Sequence, residues 1–188
     1  MEQRRTITHP IDGDTSTFLK TCAETNGKST LCEMELPPNA KGVPPHFHNS
    51  YTETFTVLEG ELTVKIGKET ITLKKGESAT VPKKAIHSFT NKSAEPVKAT
   101  VELLPGSEGF ENSIYIMYGL ANDGKCGKNG LPKKISHLAL SAVMSDTSLP
   151  GFMTLIMPIM KMIAKRAQKK GIEKELIDKY CLCMPEIG

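Results

Sequence analysis

The chain contains 188 residues, enough for one domain with a sizeable core, and its formal net charge is +3. Charged residues of both signs are mixed along it, which excludes the strongly basic surface typical of a nucleic-acid-binding protein. The most apolar window, residues 152–163, is much shorter than the roughly 20 residues that a membrane-spanning helix needs, so we expect no membrane association.

Two features favour a cytoplasmic protein. Residues 1–5 are charged and lack the apolar stretch of a secretory signal. The five cysteines are an odd number without the spacing of a disulfide framework, as is typical of proteins from a reducing compartment. We therefore expect cytoplasmic location and reduced thiols.

Residues 29–104 have hydrophobic side chains at every second position, in short runs. The first run places Cys32, Met34 and Leu36 on one side of a strand, and the last covers residues 97–103. Turn residues separate the runs, among them Gly60, Gly67, Gly76 and Pro82. Many short strands with even spacing predict a β-sandwich or a small antiparallel barrel.

After Pro105 the pattern changes. A glycine-rich, irregular stretch covers residues 106–130, within which residues 114–120 have the composition of a further strand. Helical periodicity then predicts helices over residues 135–143, 150–170 and 172–180. The apolar face of the second helix must be covered by the outer sheet, by the barrel mouth or by a second subunit, and we favour packing within the protomer or a dimer.

These boundaries divide the chain into three parts. We expect residues 1–28 to form an N-terminal segment that packs on the barrel, residues 29–120 to form the barrel, and residues 121–188 to form a C-terminal helical extension. The predicted fold class is therefore mainly β with an α-helical extension.

Three histidines and one glutamate have the spacing of a metal site. His46 and His48 lie two residues apart, so on a strand they project to the same side, while Phe47 points away. Glu53 begins an otherwise apolar strand face, and His87 lies on a later apolar strand. A buried carboxylate and buried imidazoles are costly unless a cation or a hydrogen-bond partner compensates them, so we predict one divalent ion among these four side chains.

The same residues resemble the two motifs of the cupin superfamily. The first motif is matched by His46, His48, Glu53 and Gly60, and its leading glycine is matched only approximately by Gly42. The second motif is matched by Gly76, Pro82, His87 and Asn91, but it departs at Lys84, where the family usually has a glycine in the turn. That departure concerns the shape of a loop rather than a metal ligand.

The resemblance implies a double-stranded β-helix that holds one metal through His46, His48, Glu53 and His87. The chain is similar to the single-domain cupins of the quercetin-dioxygenase-like group, and this resemblance favours iron or manganese as the metal. The donor types also suit nickel, zinc or copper. Four protein ligands on an octahedral ion would leave two positions open, but four ligands on tetrahedral zinc would fill its shell. Cupins commonly form dimers, so the resemblance also implies a homodimer.

A small-molecule substrate would contact the inward side chains near these ligands. Met34, Phe55 and Phe89 are the candidates for the apolar wall of a substrate pocket. Tyr51 is the acid or base candidate within the motif, although a tyrosine there is also compatible with a position at the rim or on the surface.

Three kinds of function are compatible with this pattern. The first is a metal-dependent dioxygenase that acts on a small organic molecule, which the complete three-histidine, one-glutamate set favours. The second is a metal-dependent isomerase or lyase, which needs a separate proton donor or acceptor near the metal. The third is a cupin that binds a small molecule without catalysis, since a fold alone does not supply an activity.

Overall fold

Eleven strands and four α-helices are found in residues 5–181, the part of the chain that this computed structural model describes. Residues 1–4, on which the argument about a secretory signal partly rests, lie outside the described residues. The strands are β1 (Thr6–Thr8), β2 (Thr15–Lys20), β3 (Thr30–Leu36), β4 (Val43–His48), β5 (Thr52–Glu59), β6 (Glu61–Ile66), β7 (Glu69–Lys74), β8 (Ser78–Val81), β9 (His87–Thr90), β10 (Val97–Leu104) and β11 (Thr147–Ser148).

The strands form two antiparallel sheets that face each other. The first sheet has the order β1-β2-β3-β10-β5-β8, and the second has the order β11-β4-β9-β6-β7. From β3 to β10 the chain crosses from one sheet to the other at every step except that from β6 to β7, as in the double-stranded β-helix that the sequence predicted. This fold is confirmed, and so is the presence of C-terminal helices.

The alternation of hydrophobic residues correctly predicted which side chains face inward. In β3, Cys32, Met34 and Leu36 are buried while the residues between them are partly or fully exposed. All four alternate residues of β10 from Val97 to Leu103 are buried as well. The pattern is less clean in β7 at the edge of its sheet, where Leu73 is buried but Ile71 is 38% exposed.

Gly42 allows the chain before β4 to pass very close to β9. Its φ of 62° lies in the left-handed region, and a Cβ atom at this position would meet the carbonyl oxygen of Phe89 at 1.9 Å. Because any other residue would collide with the backbone of β9, this glycine brings the start of the His46 strand against the His87 strand.

The helical part begins earlier than the sequence suggested. α1 spans Glu108–Asn122, so the expectation of a strand over residues 114–120 is wrong. Ser107 caps the helix, because its hydroxyl accepts a hydrogen bond from the backbone N–H of Phe110 at 3.1 Å. Ile116 and Leu120, four residues apart, are fully buried on one face. Tertiary packing of this face therefore outweighs the β propensity of its isoleucine and tyrosine residues.

The other helices follow the predicted positions with one change. α2 spans Ile135–Met144 and α4 spans Ile172–Tyr180. The long helix expected over residues 150–170 is instead a 3-10 helix, Gly151–Ile156, followed by α3, Met157–Lys169. Pro158 explains this division, because proline lacks a backbone N–H and is tolerated in the first turn of a new α-helix. No helix within residues 5–181 is long and apolar enough to cross a membrane.

The core consists of two hydrophobic clusters, and Phe110 of α1 contacts both. One fills the barrel, with Phe55, Val57, Leu62 and Val64 fully buried. The other joins β1, β2 and β3 to the helices and contains Ile7, Phe18, Cys32, Ile116, Leu120 and Leu140. Phe110 of α1 packs against both clusters. The helices and the barrel thus share a continuous apolar core within one protomer.

Candidate metal centre

The structure brings the four predicted ligands together inside the barrel. His46 and His48 lie on β4, Glu53 on β5 and His87 on β9, and His46 is paired with His87 across the two neighbouring strands. Each of the four is no more than 5% exposed. One donor atom from each residue can be chosen so that all four lie within 4.8 Å of one another. The cluster could therefore hold a metal ion.

The distances between donor atoms suit a single small cation. Nε2 of His87 lies 2.8 Å from Oε2 of Glu53, and Nε2 of His48 lies 3.9 Å from the same oxygen. Bonds of about 2.0–2.2 Å from zinc to nitrogen or oxygen separate neighbouring ligand atoms by about 3–4 Å, depending on the bond angle. The residues present thus fit a transition-metal ion of this size.

The hydrogen bonds of His46 and His87 direct the Nε2 atom of each ring toward the cluster. Nδ1 of His46 lies 2.8 Å from the carbonyl oxygen of Pro44, and Nδ1 of His87 lies 3.1 Å from that of Ala85. A carbonyl oxygen only accepts, so each Nδ1 must carry the hydrogen. In a neutral imidazole the lone pair is then on Nε2, which is the arrangement found in metal-binding histidines.

The contact between His87 and Glu53 shows why the cluster requires a positive charge. The lone pair of a neutral His87 would face a carboxylate oxygen at 2.8 Å, and neither atom would carry a proton to share. Such a contact is repulsive unless a proton or a metal cation lies between the two atoms. A divalent ion would satisfy this pair and the other two imidazoles together.

The pKa values of the ligands favour metal-binding protonation states. Burial, together with the neighbouring His87 and His48, lowers the pKa of His46 to about 4. Burial also lowers the pKa of His48. For Glu53, burial would raise the pKa, but a proton shared with His87 in the place of a metal cation, and the charge that this proton brings, outweigh burial and lower the pKa below its usual value. Neutral His46 and His48 and an ionised Glu53 are the forms that bind a metal.

Tyr51 is buried beside the cluster rather than on the surface, since it is only 2% exposed. Its hydroxyl donates a hydrogen bond to the carbonyl oxygen of Ser145 at 2.8 Å and lies 2.9 Å from Nδ1 of His48. The hydroxyl therefore contacts the nitrogen of His48 that faces away from Glu53. Burial, with the charges of Glu53 and Asp146, raises the pKa of Tyr51 far above its usual value.

The three predicted pocket residues lie in the barrel core. The rings of Phe55 and Phe89 are 5.2 Å apart, and the ring of Phe55 is 6.5 Å from that of His87. Met34 packs in the same hydrophobic cluster. Phe55 thus places an apolar ring near His87, whereas the predicted contact of these three side chains with a substrate stays a prediction.

Two further motif residues shape the loops around the cluster. Asn91 is 1% exposed, and its side-chain N–H groups donate to the carbonyl oxygens of Pro37 and Glu95 at 2.9 and 2.7 Å. Lys84, at the position of the missing glycine, has a φ of 65° and donates its backbone N–H to the carbonyl oxygen of His48 at 2.6 Å. The turn thus has the left-handed conformation that glycine favours, without the glycine.

Sequence reasoning missed the contribution of Ser145 and Asp146, which follow α2. The carbonyl oxygen of Asp146 lies 3.3 Å from Nδ1 of His48, in addition to the bond between Tyr51 and Ser145. Nothing near these residues in the sequence resembles a metal motif, so the sequence contained no local signal for them.

The part of the chain that carries these four residues matches a known family. Residues 32–103 match the family described as "Cupin domain", so this part of the chain is a cupin domain. None of the curated proteins compared with the chain matches it.

Three solved structures illustrate the similarity. TT1209 from Thermus thermophilus is 29% identical over 42% of this chain and 74% of its own, with a TM-score of 0.40. A sugar phosphate isomerase from the cupin superfamily of Silicibacter pomeroyi is 23% identical over 55% and 71%, with a TM-score of 0.45. A predicted oxalate decarboxylase from Thermotoga maritima is 19% identical over 56% and 99%, with a TM-score of 0.47.

Proposed function

We propose that His46, His48, Glu53 and His87 bind one divalent transition metal and that the protein is a metal-dependent oxidoreductase of the dioxygenase kind. The observation that supports this most strongly is the buried set of three imidazoles and one carboxylate, with Nδ1 of each imidazole facing a hydrogen-bonding oxygen. We propose iron or manganese as the metal, since nitrogen and oxygen donors in this ratio suit both. When bound, such a metal supplies redox or Lewis-acid chemistry at the positions that the protein leaves open.

The residues around the cluster support oxidation over proton transfer. An isomerase or a lyase needs a group that can give or take a proton near the substrate. The sequence predicts Tyr51 for this role, but its hydroxyl already forms hydrogen bonds with the carbonyl oxygen of Ser145 and with Nδ1 of His48. A proton-transfer role for Tyr51 stays a prediction from the sequence, but this geometry does not favour it.

The burial pattern supports a small, weakly charged substrate. No lysine or arginine is buried within residues 5–181, so the interior offers no cationic side chain to a multiply charged anion. The apolar side chains of Met34, Phe55 and Phe89 would contact the hydrocarbon part of the substrate and exclude water from the reacting atoms.

Oxygen uptake tests this function. The full chain, purified without a polyhistidine tag and loaded with iron(II) or manganese(II), should consume O₂ together with an organic substrate from a panel that includes quercetin and smaller enolisable ketones. Glu53→Gln should abolish the uptake, because the amide cannot supply the negative charge. Substrate consumption that continues unchanged without O₂ would support the isomerase or lyase instead, and binding without turnover would support a non-catalytic cupin.

The homodimer and the cytoplasmic location also stay predictions from the sequence. Sedimentation equilibrium of the full chain should give twice the mass of one chain, 20.5 kDa. A single-chain mass at micromolar concentration would show that the dimer prediction is wrong.

A further inference from the structure

His48 differs from the other two histidines in how its Nδ1 atom is held. For His46 and His87 the acceptor is the backbone carbonyl two residues earlier in the same chain segment. The partners of His48 are the hydroxyl of Tyr51 and the carbonyl oxygen of Asp146, which lies 98 residues later in the chain. The orientation of this one ligand therefore depends on a segment outside the cupin match.

A hydrogen-bond chain runs from His48 into the helical extension. Since the hydroxyl of Tyr51 donates to the carbonyl oxygen of Ser145 at 2.8 Å, its oxygen accepts from the Nδ1–H of His48 at 2.9 Å. Both bonds are buried. This chain fixes Nδ1 as the protonated nitrogen and keeps the lone pair of Nε2 directed at the cluster.

The side chain of Asp146 fastens this turn to the strand that carries His48. Its carboxylate accepts hydrogen bonds from the backbone N–H groups of Asn49 and Ser50 at 2.6 and 2.7 Å, and from their side chains at 3.0 and 2.7 Å. Asn49 and Ser50 follow His48 directly in the chain. A single carboxylate thus holds the end of β4 through four bonds.

The backbone conformation at Asp146 also brings the turn against β4. Asp146 has a φ of 49°, in the left-handed region that costs a non-glycine residue roughly 1–2 kcal/mol. Immediately after it, β11 pairs antiparallel with β4, with Thr147 opposite His48 and Ser148 opposite Phe47. The bent backbone at Asp146 turns the chain from α2 into this pairing.

We propose that Asp146 and Tyr51 are positioning residues for the metal, through which the helical extension sets the orientation of His48. The inference rests on the proposed metal site but not on the proposed reaction. It makes the turn of residues 145–147, which the cupin match does not include, a component of the metal centre.

Metal affinity of the full chain tests the proposal. In chelator competition with manganese(II) or cobalt(II), Asp146→Ala and Tyr51→Phe should each bind roughly 10–100-fold more weakly than the wild type, as is typical when the outer partner of a metal-binding histidine is lost. Asp146→Asn, which retains one acceptor oxygen and tolerates the left-handed backbone, should restore part of the affinity.

Asp123→Ala is the matched control. Asp123 also accepts several side-chain hydrogen bonds, from Lys125 nearby in the chain and from Lys179 and Tyr180 of α4, and none of them involves a proposed metal ligand. Its loss should lower stability without changing the metal dissociation constant by more than about twofold.

A spectroscopic measurement separates positioning from general loss of structure. The ¹⁵N chemical shifts of the His48 ring in the metal-free protein should show Nδ1 protonated in the wild type and a mixture of tautomers in Tyr51→Phe. The visible spectrum of the cobalt(II) form should change in the same variant. Wild-type affinity and an unchanged His48 tautomer in both Asp146→Ala and Tyr51→Phe would overturn the proposal. A wild-type chain that binds no metal would instead refute the proposed function.

Discussion

Lys84 occupies the turn position at which cupins usually have glycine, and its φ of 65° keeps it in the left-handed region. The left-handed backbone at Lys84 costs roughly 1–2 kcal/mol, which a glycine would not incur. A glycine also gives the unfolded chain more conformational freedom, and this offsets part of the gain in stability. Lys84→Gly should therefore raise the free energy of unfolding by about 0.5–1 kcal/mol, measured by urea denaturation.

Lys83→Gly is the control for this prediction. Lys83 belongs to the same turn but does not have a positive φ. A glycine there adds only freedom to the unfolded chain and should lower the free energy of unfolding by up to about 1 kcal/mol. If both glycine variants destabilised the protein equally, the left-handed strain at Lys84 would be contradicted.

The free energy of unfolding should depend on pH because the pKa of Asp14 is raised in the folded chain. Burial, and secondarily the charge of Asp12, raises the pKa of Asp14 to about 6, and one of its carboxylate oxygens is buried without a hydrogen-bond partner. Since its pKa is higher in the folded than in the unfolded chain, the folded state binds more protons between about pH 4 and pH 6. Stability from this group is thus present at low pH and lost as the pH rises through 6.

Asp14→Asn should remove the loss of stability that ionisation of Asp14 causes above about pH 6. The variant should be more stable than the wild type by about 1 kcal/mol at pH 8, once solvent screening is allowed for, and similar to it near pH 4. Asp123→Asn should behave in the opposite sense and lose stability at neutral pH, because hydrogen bonds from Lys179, Lys125 and Tyr180 lower the pKa of Asp123. Equal stability curves for Asp14→Asn and the wild type from pH 4 to pH 8 would contradict the account.

At the scale of elements, α1 joins the barrel to the helical extension through Phe110. This half-buried side chain packs against both hydrophobic clusters. Phe110→Ala should lower the free energy of unfolding by about 2–3 kcal/mol, because it leaves a cavity at the junction. Phe152→Ala is the control: Phe152 is 78% exposed, and the change should stay within about 0.5 kcal/mol. Chemical denaturation measures both, and equal effects would show that Phe110 does not join the two clusters.

The sequence predicted the strand elements well because their signal is local. Alternation placed His46 and His48 on one face, and it placed Glu53 on the same face as Phe55 and Val57, since a strand presents every second residue to the same side. The second motif then predicted that His87 would lie near them. The structure brings these residues together as the pattern indicated.

The remaining features had no local signal. Residues 114–120 have strand-like composition, and their helical conformation depends on the packing of Ile116 and Leu120 in the cluster that joins the helices to β1, β2 and β3. The carbonyl oxygens of Asp146 and Ser145, which hold His48 and Tyr51, lie more than 90 residues further along the chain, and the identity of an amino acid does not reveal what its backbone carbonyl contacts. The shared core of barrel and helices is likewise a property of the tertiary structure.

At the scale of the whole molecule, the continuous core predicts one cooperative unfolding transition that responds to metal. A ligand that binds only the folded chain stabilises it by about 2.7 kcal/mol at a free concentration 100 times its dissociation constant. Manganese(II) at that concentration should therefore raise the melting temperature of barrel and helices together, as followed by far-UV circular dichroism and by tyrosine fluorescence. Two separate transitions, of which only one moved with metal, would show that the helices unfold independently of the site.

The central claim is that the buried cluster of three histidines and Glu53 binds a single metal ion. X-ray absorption spectroscopy of the tag-free full chain, loaded with manganese(II) and combined with metal analysis, tests this most directly. We predict one ion per chain with three imidazole nitrogens and a carboxylate oxygen in its first shell, and loss of the ion in Glu53→Gln. An ion without imidazole neighbours, or equal metal content in wild type and Glu53→Gln, would contradict the claim.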